Sequence, residues 1–185
     1  MNDFPNSPQI AQKQFDRLLS ATVQFPDTHK VEECIVSVCL NTESELPLII
    51  EALKPDCFTN ESLKTVYTTI SEMGAQGMPV DILTVTYELR RRELLKGEIN
   101  AYFITQLSDA ATYSLRHVKT WISILVESYT FRTLYVSLMA TVKDVSESGN
   151  IFKAIKDLQA ELARLDYSIR KTTTHDSNQL ERLVV

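Results

Sequence analysis

The feature that most constrains this chain is the absence of glycine and proline between Ser114 and Gly149. Glycine and proline are the residues that most often end a helix, so their absence predicts one continuous helix of about thirty residues. A helix of that length invites a partner helix along its side. We therefore expect this helix to organise the second half of the chain.

A second helix is predicted to run back along the first. Gly149 suits the turn, and Asn150 is suited to cap the helix that follows. Beyond the turn, apolar residues recur at alternating steps of four and three, which is the spacing of helices that pack lengthwise. The later half of the first helix has the same spacing. The two stripes consist of Phe131, Tyr135, Leu138, Val142 and Val145 on the first helix, and of Ile151, Ile155, Leu158, Leu162, Leu165 and Ile169 on the second.

These stripes leave two interpretations open. In the first, each stripe covers the other within a single hairpin. In the second, the hairpin pairs with another copy of the chain, because its first helix also carries apolar residues on other sides that a lone hairpin would leave exposed. We favour the second interpretation and predict a dimer or a larger assembly. The predicted interface residues are Trp121, Phe131, Leu134, Tyr135, Leu138, Val142, Ile151, Ile155, Leu158, Leu162 and Leu165.

The segment before the hairpin is typical of a compact helical domain. From Pro26 onward, short apolar stripes at helical spacing alternate with cap residues and helix breakers, and no stretch forms a convincing strand. The chain is therefore predicted to be all-α, with a head of about five to six helices over residues 26–113 and a hairpin over residues 114–170. Residues 1–25 are predicted to form a flexible arm and residues 171–185 a linker.

Several details of the head can be predicted from single residues. Thr59 is expected to cap a helix, Gly74 is expected to serve in a turn, and Leu83 and Tyr87 are expected to lie on the apolar side of a helix. One segment has a readable mechanism, because proline disfavours a helical backbone before it and an aspartate accepts hydrogen bonds from the free N–H groups of the following helix. This structural motif consists of Gly77, Pro79, Asp81 and Thr84.

Composition disfavours several kinds of partner. The net charge of -5 disfavours general affinity for duplex phosphate. The basic cluster Arg90 to Arg92 with Lys96 is interpreted as the solvated end of a helix, so DNA contact by this domain is predicted to be weak or absent. The three cysteines have no CxxC spacing, which favours reduced thiols. Neither a signal peptide nor a membrane span is evident, and we expect a soluble cytoplasmic protein.

No catalytic, metal or cofactor site is predicted. A phosphate-binding loop needs a glycine-rich turn followed by lysine, and none of the four glycines precedes a lysine. The histidines His29, His117 and His175 are scattered, and no Cys-His cluster appears. This chain by itself should not hydrolyse ATP.

Several elements occur in an order and with gaps that are specific together, although each is common alone. They are Glu33, Asp56-Cys57-Phe58, Val66-Tyr67, the segment Gly77 to Thr84, Gly97, Tyr102, Leu107, Trp121, Glu127 and Arg132. This ordered set resembles the amino-terminal domain of the bacterial replicative DNA helicases of the DnaB type, over most of the chain from Pro26 onward.

The resemblance implies a non-catalytic domain of an ATP-dependent helicase that acts in DNA replication. In such proteins the hairpin pairs with a second copy, and three dimers form the collar of a hexameric ring. The collar also docks the carboxy-terminal domain of primase. The motor domain, which uses ATP and Mg²⁺, follows a linker, so the resemblance places those cofactors outside this chain.

Two other functions remain open at this point. The chain could be the helicase-binding helical domain of a primase, since that region is also a helical bundle with a hairpin. It could also be a stand-alone helicase loader or regulator of similar fold. An open reading frame that continues past Val185 into a Gly-Lys-Ser/Thr loop would favour the helicase.

Overall fold

The computed structural model describes residues 24–110 and 115–165. Every regular element in these residues is helical, which confirms the prediction of an all-α head followed by a long helical hairpin. The predicted linker, all of the predicted arm except residues 24 and 25, and the two ends of the predicted hairpin (residue 114 and residues 166–170, with Ile169) lie outside the described residues. The α-helices are α1 (His29–Asn41), α2 (Leu46–Ala52), α3 (Glu61–Ala75), α4 (Ile82–Arg91), α5 (Ala101–Asp109), α6 (Val118–Ser148) and α7 (residues 151–165), and two 3-10 turns cover Pro55–Cys57 and Leu115–His117.

The head forms around α1, which is buried on nearly every side. All residues from Cys34 to Leu40 are buried, and α1 packs against α2, α3, α5 and α6. A helix that is apolar all round belongs in the middle of a core, because a surface helix has only one apolar stripe. The core around it includes Ile49, Leu53, Leu63, Val66, Tyr67, Ile70, Met73, Val85, Leu89, Ile104 and Leu107.

Helix α3 begins one residue later than it would if Thr59 were its cap. The side-chain oxygen of Asn60 accepts a hydrogen bond from the N–H of Leu63 at 2.9 Å, so Asn60 is the cap of α3. The expectation that Thr59 caps this helix is wrong. Its N–H and hydroxyl both donate to the carboxylate of Glu32 instead.

The two glycines near the end of α3 have different purposes. Gly74 lies inside α3, where a β-carbon would collide with the side chain of Ile50. The expectation that Gly74 serves in a turn is therefore wrong, because its backbone is part of the helix. Gly77 lies after the helix with a φ of +67°, a left-handed backbone that favours glycine.

A reciprocal cap holds the start of α4. The carboxylate of Asp81 accepts hydrogen bonds from the N–H groups of Leu83 at 2.7 Å and Thr84 at 2.8 Å. The hydroxyl of Thr84 in turn accepts from the N–H of Asp81 at 2.9 Å. This capping box satisfies free backbone donors on both sides of the helix start.

The long helix α6 belongs to both halves of the molecule. Val118, Ile122 and Leu125, in its first turns, are buried in the core of the head. The helix then continues to Gly149, whose φ of +65° ends it in the left-handed conformation. Asn150 caps the return helix α7, since its side-chain oxygen accepts from the N–H of Lys153 at 3.1 Å.

Candidate assembly interface

The apolar stripe of α7 divides into an inner row and an outer row. The inner row contains Ala154 and Leu165, which are buried, and Leu158, which is half-buried. The outer row contains Ile151, Ile155 and Leu162, which are 54%, 47% and 43% exposed. One chain therefore covers only part of the apolar surface that the spacing of four and three provides.

An exposed apolar row also runs along α6. Ile124, Phe131 and Leu138 are all exposed and are spaced seven residues apart, which places them on one side of the helix. The other predicted interface residues of the later half, Leu134, Tyr135 and Val142, are half-buried. We refer to the α6 row and the outer row of α7 together as the exposed stripe.

Trp121 lies apart from the exposed stripe. Its ring packs against the core of the head beside His117, with ring centroids 6.1 Å apart. This position is on the side of α6 that faces the head. The involvement of Trp121 in pairing between copies stays a prediction.

Two contacts attach α6 to the head where the helix leaves it. The guanidinium of Arg132 donates to the carbonyl oxygens of Asp56 at 3.3 Å and Cys57 at 3.0 Å. On a neighbouring side, the ring of Phe25 makes edge-to-face contacts with Phe131 and Tyr135. The contact of Phe25 could not have been found from helical spacing, because Phe25 lies in the non-helical segment just before α1.

A buried carboxylate connects α1 to the start of α3. Glu32 is fully buried, and its Oε1 accepts from the hydroxyl of Thr28 at 2.7 Å and from the N–H and hydroxyl of Thr59 at 2.9 and 2.6 Å. Its Oε2 accepts from the N–H of Asn60 at 3.1 Å. The family resemblance rests partly on the neighbouring Glu33, which is only half-buried and pairs with His29 and Lys30. The spacing of apolar residues alone does not distinguish the two carboxylates.

Two members of the basic cluster at the end of α4 are paired with carboxylates of the head. Arg91 and Arg92 both bind the carboxylate of Glu88, and Arg92 also pairs with Glu72. The hydrogen bonds from Arg91 and then Arg92 lower the pKa of Glu88 to about 2. Pairing within the head reduces the attraction of these two guanidinium groups for a phosphate backbone, and the weak or absent DNA contact of this domain stays a prediction.

The apolar face of α4 is not the one that the sequence suggests. Val85 and Leu89 face the core, whereas Leu83 is 80% exposed and Tyr87 is 67% exposed. The expectation that Leu83 and Tyr87 face the core is therefore wrong. Because these residues are four apart, they form an exposed apolar strip on α4, which ends near the exposed Arg90.

The described residues offer no metal site, since no group of three or more His, Cys, Asp or Glu side chains could hold an ion. Burial raises the pKa of Cys39 to about 12 and also raises the pKa values of Cys34 and Cys57. Buried thiols with raised pKa values stay protonated and are poor nucleophiles. Among the helices that the structure describes, none combines the length and the hydropathy needed to cross a bilayer.

Comparison with known proteins identifies relatives among replicative helicases. The chain is 24% identical over 147 residues to the replicative DNA helicase DnaB of Rhodothermus marinus, covering 79% of this chain and 16% of that protein. It is 25% identical over 162 residues to the replicative DNA helicase DnaC of Bacillus subtilis strain 168, covering 86% of this chain and 35% of that protein. The chain thus spans well under half the length of these relatives.

The fold is similar to a solved structure of one such domain. The crystal structure of the N-terminal domain of DnaB helicase from Mycobacterium tuberculosis superposes with a TM-score of 0.68 and 24% sequence identity. The match covers 77% of this chain and 99% of that one. Residues 24–127 match the family described as the DnaB-like helicase N terminal domain. This match spans more than half of the 185 residues of the chain, so the chain belongs to the DnaB-like helicase N-terminal domain family.

Proposed function

We propose that this chain is the non-catalytic amino-terminal part of an ATP-dependent replicative DNA helicase, in which it joins copies of the protein to one another. The observation that carries the proposal is the exposed stripe. Eight large apolar side chains are exposed among the described residues of the hairpin helices, and three on α6 and three on α7 form this stripe. Exposed apolar surface of this regularity is typical of protein interfaces.

The second copy is the occupant that fits this surface best. The inner row of α7 is largely buried by contacts within one chain, whereas the outer row is exposed. The outer row can therefore pack lengthwise against helices with the same spacing. A twofold pairing would let each copy cover the stripe of the other, because an isologous interface uses one surface twice. We further propose that three such dimers form the collar of a hexameric ring, and that ATP and Mg²⁺ are used by a motor domain outside this chain.

The pairing is tested by placing charges on the outer row. Sedimentation of the 185-residue chain at micromolar concentration is expected to give a dimer or a larger assembly. The double variant Ile155→Glu with Leu162→Glu should raise the dissociation constant by roughly a hundredfold or more, since four unpaired carboxylates would enter a twofold interface.

The control places the same charge on the far side of the same helix. Ala160 is exposed and lies away from the outer row, so Ala160→Glu should sediment like the unaltered chain. The proposal fails if the unaltered chain is a monomer at all concentrations. It also fails if the double variant assembles as the unaltered chain does.

We also propose that the head docks the carboxy-terminal domain of primase through the exposed apolar strip on α4. The capping box at Asp81 holds the start of this helix, and the packing of Val85 and Leu89 fixes its rotation. Leu83 and Tyr87 are therefore presented to solvent in a defined orientation. A rigid pair of large apolar side chains is a suitable anchor for a partner, because such residues dominate binding energy in interfaces.

Calorimetric titration with the carboxy-terminal domain of primase tests this docking. The double variant Leu83→Ala with Tyr87→Ala should weaken binding by roughly tenfold to a hundredfold. Tyr102→Ala, which truncates an exposed aromatic residue on α5, should bind as the unaltered chain does. Absence of binding by the unaltered chain contradicts primase docking, whereas equal binding by the double variant contradicts only the choice of surface.

A further inference from the structure

The ring of Phe25 contacts the exposed stripe, and sequence spacing could not predict this contact. Its ring centroid is 5.6 Å from that of Phe131 and 5.5 Å from that of Tyr135, with interplanar angles of 65° and 80°. Phe131 and Tyr135 are four residues apart on α6, so the ring of Phe25 spans one turn of the helix. The contact joins the segment before α1 to the head end of the hairpin.

The exposed stripe continues on both sides of this ring cluster. Ile124 lies one heptad nearer the start of α6 than Phe131, and Leu138 lies one heptad further along. All three are exposed. A second helix that covers the stripe from Leu138 towards Ile124 must pass Phe25.

The orientation of the cluster is fixed by its neighbours. Arg132 binds the carbonyl oxygens of Asp56 and Cys57, and these bonds help to hold α6 in the orientation that leaves Phe131 outside the core. Pro26 restricts the backbone of Phe25 to extended conformations. Two residues further on, Asp27 accepts a hydrogen bond from the N–H of His29 at 3.0 Å, which holds the segment at the start of α1.

Contacts among the described residues leave much of this aromatic surface in water. Phe25 remains 40% exposed and Phe131 remains 43% exposed although the two rings touch. Half-covered aromatic rings in a continuous apolar row are suited to bury their remaining faces against another surface.

We infer that Phe25 is part of the surface that the second copy covers, so that the pairing interface runs from the hairpin onto the head. This inference rests on the proposed pairing of two copies and extends it. It assigns a role in assembly to a residue outside both hairpin helices. It also places the segment before α1 at the boundary between the two copies.

The inference is tested by the variant Phe25→Ala in the 185-residue chain. Sedimentation equilibrium over a range of concentrations should show a dissociation constant raised by roughly tenfold or more, because a twofold interface contains the substitution twice. Phe25→Leu, which keeps apolar area but loses the ring edges, should give a smaller increase. Tyr102→Ala, an exposed aromatic residue away from the stripe, should give none.

The outcomes separate this inference from the pairing itself. If the unaltered chain is dimeric, the double variant of Ile155 and Leu162 is monomeric and Phe25→Ala leaves the dissociation constant unchanged, the inference is wrong while the pairing stands. A lower melting temperature of Phe25→Ala with an unchanged dissociation constant also overturns it, since Phe25 would then act only within its own chain. If the unaltered chain is monomeric at every concentration, both are wrong.

Discussion

The head and the hairpin differ in how far contacts within the chain bury their side chains. In the head, α1 is buried on nearly every side, and even the carboxylate of Glu32 has four donors from its own chain. In the hairpin, α7 buries Ala154 and Leu165 but leaves Ile151 and Ile155 half-exposed. The comparison teaches that a helix with apolar residues on nearly every side is enclosed by its neighbours, whereas a helix with one apolar arc and one neighbour leaves part of that arc exposed.

The largest expected effect is on the free energy of unfolding, and it tests whether the contacts of Glu32 stabilise the head. Glu32→Ala leaves the donors of Thr28, Thr59 and Asn60 without their acceptor. It should lower the free energy of unfolding by about 3 kcal/mol or more, because each buried unsatisfied donor is costly. Thermal or urea unfolding measured at a concentration where the chain is monomeric provides the test.

The neighbouring residue is the control for this prediction. Glu33→Ala removes a half-buried carboxylate that pairs with His29 and Lys30, and it should change stability by less than about 1 kcal/mol. Equal losses for Glu32→Ala and Glu33→Ala would show that the four-donor arrangement does not stabilise the head.

The next effect compares the two rows of α7 directly. Leu165→Ala removes a buried side chain and should lower the stability of the monomer by about 2 kcal/mol. Leu162→Ala removes a half-exposed side chain, so it should affect the monomer by less than about 1 kcal/mol and mainly raise the dissociation constant. Unfolding of dilute protein and sedimentation together measure both quantities. A larger loss of monomer stability for Leu162→Ala than for Leu165→Ala would contradict the assignment of Leu165 to the inner row and Leu162 to the outer row.

The smallest expected effect concerns the start of a single helix in the head. Asp81→Ala removes the cap of α4 and should cost about 1 kcal/mol of stability, whereas Asp81→Asn should cost less because the amide oxygen still caps. Thermal unfolding of the two variants measures the difference. Loss of primase binding without any fall in melting temperature would contradict the cap assignment.

Much of the architecture could be predicted because it depends on local signals. The helical hairpin follows from the absence of breakers before Gly149, from the left-handed turn at that glycine and from the cap at Asn150. The start of α4 follows from Asp81 and Thr84. In each case the residues that decide the structure lie within a few positions of one another.

The errors in the head have a different origin, because there distant residues decide. Thr59 has the chemistry of a cap, but it is drawn to the buried carboxylate of Glu32, twenty-seven positions earlier, and Asn60 takes its place. Leu83 and Tyr87 have the spacing of a core face, but α4 turns Val85 and Leu89 inward. Spacing shows which residues share a face and does not show which face meets the core.

Sequence spacing identifies only part of the surface that we propose as the interface. The spacing of four and three identifies the stripes of α6 and α7, but it does not separate the inner row from the outer row, because both lie within the same apolar arc. It also cannot include Phe25, which belongs to no helix. Burial in the folded chain separates the inner row from the outer row, and the ring contacts connect Phe25 with α6.

The continuity of α6 between the head and the tip of the hairpin has a mechanical consequence. A helix of 31 residues is about 46 Å long, and roughly half of it lies beyond the anchor at Arg132. With no glycine or proline in that span to act as a hinge, we expect it to move as a lever. A tilt of about 10° at the anchor would displace the tip by about 4 Å, so a small rotation of the head is transmitted over that distance to whatever the hairpin holds.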